Sequence, residues 1–98
     1  MVCRLIRIYG IVQGVGFRPF VSRLADRYGI SGSVCNKGSY VEIFAKASES
    51  ALDKFVLAIE AEAPARSAIV KVKVMDSPVD ISIDSGFKIA LSKHEEGQ

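Results

Sequence analysis

The sequence is poor in the side chains on which most nucleophilic and metal-assisted hydrolysis depends, with one histidine, His94, and two cysteines, Cys3 and Cys35. His94 lies in a polar stretch beyond the last apolar segment, so a Ser–His or Cys–His pair would require that stretch to return to the site. It is expected to face solvent. Two thiols in strand-like segments suit neither a disulfide framework nor a metal site of usual ligand spacing, and both are expected to be ordinary buried thiols. No metal or other cofactor is expected. Long apolar runs are also missing. None approaches the roughly 20 residues of a membrane span, and the N-terminus lacks the basic-then-apolar pattern of a signal peptide. Cytoplasm is the expected location, with no membrane partner. The charge imbalance is small: 13 basic against 11 acidic residues give a formal net charge of +2. That is too little to mark a nucleic-acid binder by electrostatics alone, so no nucleic-acid partner is expected, while small anions remain open as ligands.

What the sequence does have is enough apolar content for one core. About half of its 98 residues are hydrophobic, which suits a single compact domain and leaves little for a second. Cys3 to Tyr9 alternates around Ile6 and Ile8 and ends at Gly10, as a strand with one covered face should. Pro19 suits a first helical turn, and Phe20, Val21, Leu24, Ala25 and Tyr28 form a stripe that Gly29 can cap. Ser31 to Asn36 and Tyr40 to Lys46 read as two strands joined by the tight turn Lys37-Gly38-Ser39, with Val41, Ile43 and Ala45 toward the core. Ser50 with Asp53 resembles a capping box for a second helix carrying Leu52, Phe55, Val56 and Ile59, which Ala63-Pro64 stops. Ala68 to Met75 alternates Val70, Val72 and Val74 against Lys71 and Lys73, and Phe87, Ile89 and Leu91 mark a short last strand. This order predicts an α+β, ferredoxin-like two-layer sandwich, βαββαβ plus a C-terminal edge strand, its antiparallel sheet carrying both helices on one face.

Gly14 and Gly16 lie between a strand and a helix, where a loop can turn successive backbone N–H groups toward one point at the positive helix end. Such a loop is an anion cradle, and glycine lets backbone approach the anion without a Cβ in the way. Neither the Walker A spacing nor the dinucleotide fingerprint is completed: no Gly-Lys-Ser/Thr closes the loop, and Arg18-Pro19 follows where a third glycine would be needed. Arg18 stands where the loop meets the helix, with a guanidinium able to make paired, charge-assisted bonds to phosphate oxygens. Asn36 ends a strand, where asparagine commonly satisfies turn backbone groups.

The run Gly10-x-Val12-Gln13-Gly14-Val15-Gly16-Phe17-Arg18, followed by Gly29, Gly32, Val34 and Asn36, resembles the signature of the acylphosphatase family. The similarity continues through Val41-Glu42-Ile43, the second helix and Phe87-x-Ile89, so a domain over 1–92 with a polar tail over 93–98 is expected. The resemblance implies hydrolysis of an acyl phosphate. Arg18 would anchor the phosphate, Asn36 would orient the attacking water, and the backbone of Gln13, Gly14, Val15, Gly16, Phe17 and Arg18 would hold the phosphoryl oxygens. Within the family, Phe17-Arg18-Pro19-Phe20-Val21, Cys35-Asn36 and Ala63-Pro64-Ala65-Arg66 look most like the N-terminal acylphosphatase-like domain of the carbamoyltransferase that matures nickel-iron hydrogenases. That closer likeness implies carbamoyl phosphate as substrate and the downstream domains of a larger maturation protein as partners. A free-standing general acylphosphatase and a non-catalytic binding module are the alternatives. RNA-recognition modules share the element order, but Lys37-Gly38-Ser39-Tyr40-Val41-Glu42-Ile43-Phe44 misses their aromatic pattern, with Ser39 in the first aromatic place. By parity Tyr9 and Phe44 belong to the uncovered face of the sheet.

Overall fold

A computed structural model describes residues 2–77 and 86–89. His94, Leu91 and the 93–98 tail lie outside them, as does part of the proposed 1–92 domain. The elements are β1 (Val2–Ile11), α1 (Phe17–Tyr28), β2 (Ser31–Asn36), β3 (Tyr40–Ala47), α2 (Glu49–Glu62), β4 (Ala68–Asp76) and β5 (Phe87–Ile89). The sheet order is β4-β1-β3-β2-β5, so the predicted ferredoxin-like sandwich is present.

Hydrophobic alternation dictates how the layers meet. Ile6, Ile8, Val34, Val41, Ile43 and Ala45 from one sheet face form a single buried cluster with Phe17, Phe20, Val21 and Leu24 of α1 and with Leu52, Phe55, Ala58 and Ile59 of α2. Each large side chain so buried contributes about 1.5–3 kcal/mol. Gly29 closes α1 in the left-handed conformation, φ 69°, and Pro19 sits in its first turn, as the sequence suggested.

Four expectations need correction. The sheet is mixed: β5 pairs with β2 in parallel, Gly32 opposite Phe87 and Val34 opposite Ile89. The strand lies at the edge opposite β4, and residue alternation carries no information on strand direction. The cap of α2 is Ser48, whose Oγ accepts from the Ala51 N–H at 3.2 Å. Because β3 runs to Ala47, the helix starts at Glu49, and Asp53 instead accepts from Arg4 Nη1 at 3.0 Å. On β4, Val70 does not point to the core but is 81% exposed. Tyr9 pairs with Lys71 and the next residue, Gly10, with Ile69, leaving Val70 as the extra residue of a β-bulge. The bulge reverses the alternation, so Ile69 packs on the core in its place. Finally, Cys35 is buried but Cys3 is only half-buried.

Gly32 shows how tightly the sheet is fitted. It has φ +142°, and a Cβ there would overlap the Phe44 carbonyl. Gly32→Ala is therefore expected to destabilise the fold by about 2 kcal/mol or more, read as a lowered midpoint in urea unfolding. An unchanged midpoint would show that β2 and β3 can separate at no cost.

Candidate active site

β1 and β2 both run antiparallel to β3, so they end on the same side of the sheet. Tyr9 lies opposite Tyr40, and Asn36 lies opposite Val41. The loop that follows β1 and the asparagine that ends β2 consequently flank the first residues of β3. Two devices re-aim the chain as it leaves β1. The bulge beside Gly10 bends the pairing with β4, and Val12, 2% exposed, anchors the loop in the core.

The loop then turns through Gly14, φ 72°, and Gly16, φ 75°, left-handed values that glycine adopts without strain. Gly16 is the N-cap residue of α1 and supplies no side-chain cap, and the first turn holds no acidic residue. The first N–H groups of a helix have no intrahelical acceptor and carry the positive end of its dipole. Here neither a cap nor a carboxylate of α1 competes for them. Phe17, at the start of the helix, is 1% exposed and packs against Phe20 with ring centroids 5.6 Å apart. Its burial fixes the direction in which α1 sets out.

Arg18 is the second residue of α1 and is half-buried. Among the described residues it forms no ion pair and no side-chain hydrogen bond, unlike Arg4, Arg7 and Arg27, which all meet carboxylates. None of the described carboxylates thus neutralises its guanidinium charge. Asn36 is half-buried, and its Oδ1 accepts from the Gly38 N–H at 2.8 Å. That bond makes the atom facing Gly38 the oxygen, which fixes the carboxamide orientation. The turn-forming role open to Asn36 from sequence is therefore real.

The loop and the asparagine are joined through a contact of the Gln13 side chain that sequence reasoning, which named only the Gln13 backbone, missed. Gln13 Nε2 donates to the Tyr40 carbonyl at 3.4 Å, and the same oxygen accepts from the Lys37 N–H at 2.9 Å. The Gln13 side chain thus ties the glycine loop to the turn that follows Asn36. A contact across 27 residues to a backbone oxygen leaves no signal in residue type or spacing. On the far side of the same turn, Glu42 takes Arg7 Nε at 3.1 Å and Lys37 Nζ at 3.7 Å. The hydrogen bond to Glu42 raises the pKa of Arg7, outweighing the opposing effect of its burial. An uncapped helix start, an arginine without a partner among the described residues and a tethered asparagine thus converge at one end of the sheet.

Known proteins resemble the chain in sequence and in fold. The acylphosphatase family model matches residues 4–89. The chain is 38% identical over 74 residues to an acylphosphatase of Staphylococcus haemolyticus, covering 76% of this chain and 83% of that one. The acylphosphatase of Bacillus subtilis superposes with a TM-score of 0.84 at 35% identity, over 92% of this chain and 99% of the other. Carbamoyltransferase HypF2 of Cupriavidus necator is 37% identical over 91 residues, which is 93% of this chain but 11% of the transferase. The chain therefore spans most of a small acylphosphatase and about a tenth of the carbamoyltransferase. With sequence and fold agreeing over nearly the whole described region, the chain belongs to the acylphosphatase family, enzymes that hydrolyse acyl phosphates.

Proposed function

We propose that this domain hydrolyses carbamoyl phosphate as the N-terminal unit of a hydrogenase-maturation carbamoyltransferase, with Arg18 and Asn36 as its working side chains. The observation that carries the site assignment is the start of α1, which has no side-chain cap, no acidic residue in its first turn, and an arginine without an ion pair among the described residues. Backbone N–H groups from Gln13 to Phe17, together with that of Arg18, surround the phosphoryl oxygens, and the guanidinium of Arg18 supplies a bidentate clamp. Asn36, held by Gly38, offers its amide NH₂ to the oxygen of the attacking water.

Water attacks phosphorus, the new P–O bond forms, and the bond from phosphorus to the acyl oxygen breaks. The products are inorganic phosphate and a carboxylate, here carbamate. A carboxylate or carbamate leaves as a stable anion, so no protein acid is needed, and the water proton passes to a phosphoryl oxygen. Positioning and charge stabilisation of the equatorial oxygens then supply the catalysis. The choice of carbamoyl phosphate rests on the likeness to the carbamoyltransferase over 93% of this chain and on Phe17-Arg18-Pro19-Phe20-Val21. The hydrolysis would feed carbamate to later domains of the larger protein.

Phosphate release from carbamoyl phosphate and from benzoyl phosphate tests the reading. Both are expected to turn over, carbamoyl phosphate with the higher kcat/KM, and inorganic phosphate is expected to inhibit competitively. Benzoyl phosphate turned over faster would favour a general acylphosphatase. Turnover of neither would leave a binding module.

A further inference from the structure

The fold sorts charge that the sequence balances. Ile6, Ile8, Val41 and Ile43 face the helices, so the residues between them line the opposite face of the sheet. Strand register sets those residues in rows. Lys71, Tyr9 and Tyr40 form the row nearest the phosphate loop, and Lys73, Arg7 and Glu42 form the next. Met75, Leu5 and Phe44 follow, each half-buried. Glu42 is the one carboxylate among the described residues of this face, and Arg7 and Lys37 both neutralise it with its side chain 7% exposed. Lys71 and Lys73 are exposed and form no ion pair with any described residue. Among the described residues the face is strongly cationic although the chain as a whole is nearly neutral.

Aromatic rings lie among those cations, on the two central strands. Tyr9 and Tyr40 have ring centroids 5.1 Å apart. The Arg7 guanidinium sits 5.3 Å from the Tyr40 centroid, and Lys71 Nζ sits 5.9 Å from that of Tyr9. Phe44 extends the aromatic surface along β3. Cations beside rings on the antiparallel strands β1, β3 and β4, on a face that no described element covers, offer phosphates a counter-charge and bases a stacking platform. An acidic peptide would use the lysines but would leave the rings without a role.

We propose that the open face of the sheet binds single-stranded RNA, with Tyr9 and Phe44 stacking bases and Lys71 and Lys73 meeting phosphates. The ligand would lie across β1, β3 and β4, on the side away from the helices, and the acyl-phosphate chemistry would proceed independently of it. No base-specific contact is implied, because stacking and backbone attraction tolerate any sequence.

Fluorescence anisotropy of a labelled twelve-nucleotide oligouridylate, titrated with this chain at about 50 mM salt, tests the proposal. Binding is expected to weaken as salt rises, with a log–log slope of roughly −1.4 for two neutralised phosphates. Tyr9→Ala should weaken it about fivefold or more. Lys71→Glu with Lys73→Glu should weaken it at least tenfold, with acyl-phosphate turnover retained as the proof of folding. Lys54→Glu on the exposed side of α2 should change nothing. No binding at low salt overturns the proposal. So does a polyglutamate peptide that binds as tightly as the RNA while Tyr9→Ala has no effect, since the face would then be a dock for acidic protein.

Discussion

Alanine in place of Arg18 is expected to lower kcat/KM for an acyl phosphate by about 10²–10³-fold, the usual scale for losing one preorganised charge-stabilising group. The expectation follows from where the residue stands. It occupies the first turn of α1, after two left-handed glycines, with no acidic residue in that turn and no carboxylate partner among the described residues. Removing it therefore breaks no ion pair among the described residues. Stability should move by no more than about 0.5 kcal/mol, as for other substitutions away from packed or paired groups. Activity and folding are thus separable. Arg18→Lys should recover only part of the rate, because an ammonium is a point charge and cannot span two phosphoryl oxygens. Competitive inhibition by inorganic phosphate should weaken in parallel in Arg18→Ala. Full turnover by folded Arg18→Ala would remove the anchor from the mechanism and leave the backbone cradle to act alone.

The second large effect is expected at Asn36, where two roles compete and two substitutions separate them. The Oδ1 of Asn36 accepts from the Gly38 N–H at 2.8 Å. Asn36→Ala removes both that acceptor and the NH₂ group. It should cost about 1 kcal/mol of stability through the lost hydrogen bond and about 10²-fold in kcat through the lost orientation of water. Asn36→Asp keeps an oxygen for Gly38 but has no NH₂, so it should hold the turn and the melting temperature while losing the rate. Phosphate inhibition should be little changed in Asn36→Ala, since the water and not the anion loses its partner. If Asn36→Asp retains full activity, the asparagine serves only the turn and the water is oriented by something else.

Much of this site was legible in the chain because its parts are local. Glycines between a strand and a helix, a proline in the first turn and an arginine beside it are matters of backbone conformation and helix dipole, which short stretches of sequence express directly. β2 is placed at the bounds that alternation predicts, Ser31–Asn36. The failures fall where a neighbour decides. Ser48 and Ser50 are equally good caps in isolation, and the length of β3 chose between them. Val70 and Ile69 are equally good core residues, and the bulge opposite Gly10 chose Ile69.

The sequence by itself determined the element order and the glycine turn between β1 and α1, because periodicity and turn chemistry act within a few residues. Only the tertiary structure decided that β5 runs parallel to β2, because strand direction depends on how chain ends meet in space. It also decided that Gln13 fastens the loop to the Asn36 turn through the Tyr40 carbonyl, a contact between segments that share no local pattern. Finally, it gathered Arg7, Lys71 and Lys73 onto one sheet face, because strand alternation and cross-strand register can concentrate charge that a sum over the chain cancels.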